Sequence, residues 1–110
     1  MSKIYYNKLI RDKIPDIISR SGKDYKTKIL PSEEYLIKLE EKLTEEIDEY
    51  LSTGSIEELV DLVEVVYAIL NHKGITLDRF EGMRKEKNQN RGGFDKKLLL
   101  EYVQSESNNE

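Results

Sequence analysis

Apolar residues recur at steps of three and four along one segment: Leu36, Leu39, Leu43, Ile47 and Tyr50. That spacing lays them on one side of an α-helix. Ser32 is placed to cap its start, and Ser52-Thr53-Gly54 to end it. A second helix is predicted to start after Ser55 and run through Leu70, with Gly74 as its stop. Its middle, LVDLVEVVYAIL, is apolar on nearly every face, the pattern of a buried helix. A third helix is predicted from Thr76 or Asp78 to about Lys87, with Leu77, Phe80 and Met83 on one face. Pro15 opens a short apolar stretch that stops at Gly22. Tyr25, Thr27 and Ile29 alternate with Lys26 and Lys28, which predicts a short strand. Leu98–Val103, beyond a turn at Arg91-Gly92-Gly93-Phe94, reads as a strand or a buried helix fragment, with a strand pairing with Tyr25–Ile29 favoured. The expected fold is mainly α, an antiparallel helical hairpin or bundle with a minor short β element. One domain is expected over residues 1–103, and the polar tail 104–110 is expected to fray.

Composition narrows the chemistry. The 110 residues fit one domain with a modest core, for which self-association into a homodimer or larger homo-oligomer is a natural supplement. A net charge of −4 argues against a nucleic-acid footprint, which needs a basic stripe. There is no cysteine and one histidine, His72. Thiolate metal sites, cysteine nucleophiles and histidine-rich zinc sites are therefore excluded. No apolar run is long enough for a membrane span and no signal-peptide pattern opens the chain, so a cytoplasmic protein is expected. Carboxylates, lysines, arginines and hard cations remain.

The carboxylates are patterned. Glu46 and Glu49 lie three apart on the first long helix, and Glu58 and Asp61 three apart on the next. Each pair shares a helix face. In a hairpin turning between Thr53 and Gly54, positions with equal index sums lie at one level. Glu49 then faces Glu58, and Glu46 faces Asp61. The two rungs are separated by about 4.5 Å along the axis. Four acids this close repel unless compensated, and a hard cation with oxygen ligands would compensate them. Asp61 lies within an apolar run, where an unpaired charge is costly to bury. Glu64 shares that difficulty and is open as a ligand, a supporting group or an edge residue. Helical angles place Glu45 nearly opposite the apolar stripe, towards solvent.

Plainer readings stand beside this one. EEKLTEEIDE has the composition of a solvated helix face, and Lys42 and Glu46 form an i,i+4 pair. Ser55-Ile56-Glu57-Glu58 also fits a capping box, with Glu58 reaching back to the Ser55 backbone. That alternative explains Glu58 but neither Asp61 nor the matched rungs.

The spacing E-E-x-x-E followed by E-x-x-D resembles the MazG-like nucleoside triphosphate pyrophosphohydrolases, an all-α superfamily that includes phosphoribosyl-ATP pyrophosphohydrolase. Asn7-Lys8-Leu9-Ile10-Arg11-Asp12-Lys13-Ile14-Pro15 resembles the opening of a small subgroup of these proteins. Arg84-Lys85-Glu86-Lys87 followed by Arg91-Gly92-Gly93-Phe94 resembles a later segment of the same subgroup. The three segments in order span about residues 4 to 103. The resemblance implies magnesium-dependent hydrolysis of a nucleoside triphosphate, or a related nucleotide, between the α and β phosphates, with Mn2+ as a substitute ion. It implies Glu46, Glu49, Glu58 and Asp61 as metal ligands and Glu45, Glu46 and Glu49 as the catalytic acids. Glu45 would hold a second ion or position the attacking water. Removal of non-canonical nucleotides is the role ranked first; the histidine-pathway reaction on phosphoribosyl-ATP and a non-catalytic helical interaction module are the alternatives.

Phosphates need counter-charges. Lys8, Arg11, Arg84, Lys87 and Arg91 are the substrate-binding candidates, with Lys13 and Lys85 beside them. Arg91 is favoured, because Gly92-Gly93 permits close backbone approach to a ligand. The N-terminal cations serve equally well as a solvated surface, and those of the third helix as complements to its C-terminal end. His72 is expected to cap or to lie at the surface. Phe94 could stack on a base, and so could Tyr67, which is more readily placed in the core.

Overall fold

The computed structural model describes residues 2–105. Four helices follow one another: α1 Ile14–Arg20, α2 Ser32–Thr53, α3 Ile56–His72 and α4 Leu77–Arg91. The chain divides after Leu77 into two compact units.

In the first unit, α1 carries Pro15 in its opening turn, where the missing N–H costs nothing, and closes at Gly22 with φ +81°. α2 begins at Ser32 itself, with Pro31 rather than Ser32 at the capping position. The proline fixes an extended backbone that turns directly into the helix. α2 ends at Gly54, whose φ of +67° is a left-handed turn that a side chain would strain. Gly54 N–H donates to Tyr50 O at 2.7 Å. Ser55 then caps α3, its hydroxyl accepting from Glu57 N–H at 3.2 Å. Only Gly54 and Ser55 separate the helices, so α2 and α3 pack antiparallel, as the pattern predicts. The register is fixed at the far end as well. Tyr35 and His72, which share the index sum of the two acid rungs, meet edge to face with centroids 5.5 Å apart.

The apolar centre of this hairpin is small. Leu39 and Val65 are the buried apolar residues, and Leu36, Leu43 and Tyr50 are half-buried. Full burial of a leucine contributes about 2 kcal/mol. The expectation that α3 is buried on all sides is not met within one chain. α2 covers one side of α3, and Ile56, Val60, Val63 and Tyr67, spaced by four, three and four, stay exposed along another. Tyr67 is thus not a core residue of the single chain.

The expected β element is absent among the described residues. Tyr25, Thr27, Ile29 and Leu98–Val103 carry no ladder. Ile29 is 99% exposed and Leu98–Val103 is exposed throughout. An alternating pattern forms a strand only where one face is buried and a neighbour supplies hydrogen bonds; here neither exists.

In the second unit, α4 runs one turn further than the sequence predicts, to Arg91. Gly92 turns the chain with φ +82°, and its N–H donates to Asn88 O at 2.6 Å. From Asp78 onwards every described residue except Phe80 is exposed. Gln104 and Ser105 of the expected tail are exposed and outside any element; 106–110 lie outside the described residues.

Candidate metal centre

The hairpin geometry brings the patterned acids together. Carboxylate oxygens of Glu45, Glu46 and Glu49 lie within 4.8 Å of one another, and so do those of Glu46, Glu58 and Asp61. Glu46 belongs to both groups and joins them. It is also the most buried ionisable residue described, 4% exposed. α2 presents it at the edge of its apolar stripe, where α3 covers it.

One feature separates this cluster from a solvated acidic face. Glu46 Oε2 and Glu58 Oε2 are buried and have no hydrogen-bond partner. A buried carboxylate oxygen left unpaired is costly, and such groups are few in native proteins. The cost shows in the acidities. Burial first, then the neighbouring charges of Glu49 and Asp61, push the Glu46 carboxyl above its ordinary range, against the pull of Lys42. A hydrogen bond to Glu49 is the main cause that raises Glu58, with burial and the other acids adding to it.

The capping-box alternative for Glu58 is not what forms. Ser55 N–H donates to Thr53 Oγ1 at 3.1 Å, so the donor that Glu58 would have reached is already satisfied. Thr53 Oγ1 in turn donates to Glu49 O at 3.0 Å. Glu58 is thereby free to turn towards Glu49, and the capping is done by the Ser55 hydroxyl alone.

Glu45 departs from its expected position. It is half-buried rather than turned to solvent. Lys8 Nζ lies 3.3 Å from one of its oxygens and Lys42 Nζ 3.2 Å from the other. Burial pushes its pKa up, but the hydrogen bonds from Lys42 and Lys8 outweigh that and hold it below the ordinary range. A helical angle refers only to the stripe of α2, whereas the chain before α1 reaches Glu45 as well, through Lys8. Glu64 is exposed and belongs to neither group.

Cations reach the cluster from that N-terminal chain. Arg11 Nη2 donates to Asp61 Oδ1 at 2.7 Å. With Lys8 on Glu45, this places two of the five substrate-binding candidates on the acids themselves. Arg84, Lys87 and Arg91 belong to the second unit. Together with Asn88, Gly92, Gly93 and Phe94 they line an open cavity of about 590 Å³. Arg84 there is engaged by Glu81, at 2.6 and 2.8 Å. Phe94 is 97% exposed. His72, in the last turn of α3, packs its ring edge to face on Tyr35.

The donor set, all carboxylate oxygens with two buried and unpaired, can hold a hard metal ion. No described helix is long and apolar enough to cross a membrane. No protein-family model, curated protein or solved structure matches the chain.

Proposed function

We propose that this protein is a magnesium-dependent nucleotide pyrophosphohydrolase of the all-α type, cleaving a nucleoside triphosphate or related nucleotide between the α and β phosphates. The observation that carries the reading is the buried, unpartnered oxygen of Glu46 at the junction of two carboxylate groups. Lys42 Nζ lies 3.9 Å from the other oxygen of Glu46, but a chain that buries an acid among other acids with one oxygen unpartnered has a use for a further cation there. The three-segment resemblance supplies the reaction.

Glu46, Glu49, Glu58 and Asp61 would hold the Mg2+, with Mn2+ as a substitute. When bound, the ion supplies charge neutralisation at the phosphates and a more acidic water. Glu46 and Asp61 sit on facing helices, so the hairpin register sets the site. Glu45 stays anionic under Lys8 and Lys42 and is suited to orient a water rather than to donate a proton. Neither cysteine nor histidine is needed, because chemistry of this kind depends on positioning and electrostatics.

Pyrophosphate release from a panel of canonical and modified nucleotides, with magnesium and with chelator, tests this reading. Magnesium-dependent release from at least one nucleotide is expected; none from any would refute it. A second reading has its own observation. The exposed stripe Ile56, Val60, Val63 and Tyr67 on α3 suits a helical module that associates with a second copy. A melting temperature indifferent to magnesium and nucleotide, in a chain that dimerises, would favour that module over the enzyme.

A further inference from the structure

Residues 2–11 form neither helix nor strand, yet polar contacts dock the end of this segment on the hairpin. Lys38 Nζ donates to Asn7 O at 3.5 Å, Lys8 lies on Glu45 at 3.3 Å, and Arg11 on Asp61 at 2.7 Å. Lys8 and Arg11 therefore address different acids of the cluster, on different helices. Both pairs keep much solvent exposure, with side chains 53% and 55% exposed for Lys8 and Arg11. Exposed pairs of this kind are weak and easily exchanged.

We infer that Lys8 and Arg11 are exchangeable counter-ions of the acid cluster: they neutralise it when no metal is bound, and pass to the phosphates of a magnesium-bound di- or triphosphate. The inference rests on the metal reading of the cluster. A guanidinium on Asp61 and a divalent ion on the same carboxylate repel each other, so Arg11 competes with the bare metal. Five carboxylates, Glu45, Glu46, Glu49, Glu58 and Asp61, face three cations, Lys8, Arg11 and Lys42. With all ionised, five negative against three positive charges leave −2, which one divalent ion balances. A polyphosphate brought in with the ion adds negative charge that the acids cannot meet. Lys8 and Arg11, already at the rim on exposed side chains, can meet it without any rearrangement of the helices. Arginine suits the task, since its planar fork matches phosphate oxygens in pairs.

The sign of two effects separates this from a purely positioning role. Mn2+ binding, followed by the loss of the free-ion electron paramagnetic resonance signal, is measured for the full chain with and without inorganic pyrophosphate. Arg11→Gln should bind Mn2+ alone roughly 2- to 5-fold more tightly, as release from a weak exposed pair allows. The same variant should bind pyrophosphate in saturating Mn2+ roughly tenfold more weakly, the loss of a charge-assisted contact. Lys8→Gln should show the same signs, and Arg11→Lys should restore part of the pyrophosphate affinity. Weaker or unchanged Mn2+ binding in Arg11→Gln would overturn the competition, leaving Arg11 as a support for Asp61. Unchanged pyrophosphate affinity would overturn the transfer. A wild-type chain that binds no Mn2+ would instead refute the metal reading beneath it. The substitutions lie in an exposed segment outside the helices, and circular dichroism verifies that helicity is kept.

Discussion

The two units of this chain put similar raw material to different use. In the first, α2 and α3 hold five acids against each other, bury one to 4% exposure and leave two of their oxygens unpaired. In the second, α4 and the turn after it carry a comparable density of charge, and every described residue from Asp78 onwards except Phe80 is exposed. There the charges settle locally, as Arg84 does on Glu81 one helical turn away. The difference teaches that residue type does not make a site. Burial does, because it removes the water that would otherwise satisfy each charge and so forces the question of what replaces it.

Several substitutions would break or sharpen that contrast. The largest effect should come from Leu39→Ala, at the centre of the hairpin. Emptying a buried leucine position costs about 2–5 kcal/mol, a large part of the stability of so small a core. A thermal melt checks it, and a change below about 1 kcal/mol would mean the hairpin is not held as described. Next comes Asp61→Asn, which should keep the helicity and lower magnesium-dependent pyrophosphate release by roughly 100-fold or more. Retained turnover would remove Asp61 from the ligand set. Arg91→Gln in the second unit should lower kcat/KM by roughly tenfold if it meets phosphate, with the melting temperature unmoved. Unchanged kinetics would leave the second unit without a part in catalysis. Smallest of all, Arg84→Gln should change the melting temperature immeasurably, since its pair with Glu81 is exposed. A clear loss of stability there would show that the second unit is tied down more firmly than its exposure suggests.

Much of the first unit was legible in the sequence because its turn is short. Gly54 and Ser55 leave the antiparallel pairing little freedom, so counting outwards from them aligns Glu49 with Glu58, Glu46 with Asp61 and, at the far end, Tyr35 with His72. Glu45 was misplaced because a helix angle describes one helix and its stripe, whereas Lys8 arrives from a segment with no periodicity to read. The proposed strand at Tyr25–Ile29 failed for a related reason. Alternation records which side chains would share a face, but a ladder also needs a covered face and a partner, and Ile29 has neither. Glu58 was ambiguous because capping and metal binding ask for the same residue at the same place; Thr53 decided it by taking the Ser55 N–H.

The raised pKa values of Glu46 and Glu58 have a definite sign for stability. Both carboxyls hold their proton more tightly folded than unfolded. Their contribution to stability is complete below the ordinary glutamate value and is lost as pH rises through the raised folded values. The metal-free protein should therefore lose stability above the ordinary carboxylate range, and a bound cation should return it.

The melting temperature with and without magnesium, followed from mildly acidic to neutral pH in the wild-type chain and in Glu46→Gln, tests the central claim most directly. The wild type should gain about 5 °C at neutral pH with magnesium at ten times its Kd, and less as pH falls and the acids keep their protons. Glu46→Gln should melt higher than the wild type without metal, because its buried charge is gone, and should gain little from magnesium. A wild type indifferent to magnesium, or a Glu46→Gln chain that responds as fully, would contradict the account.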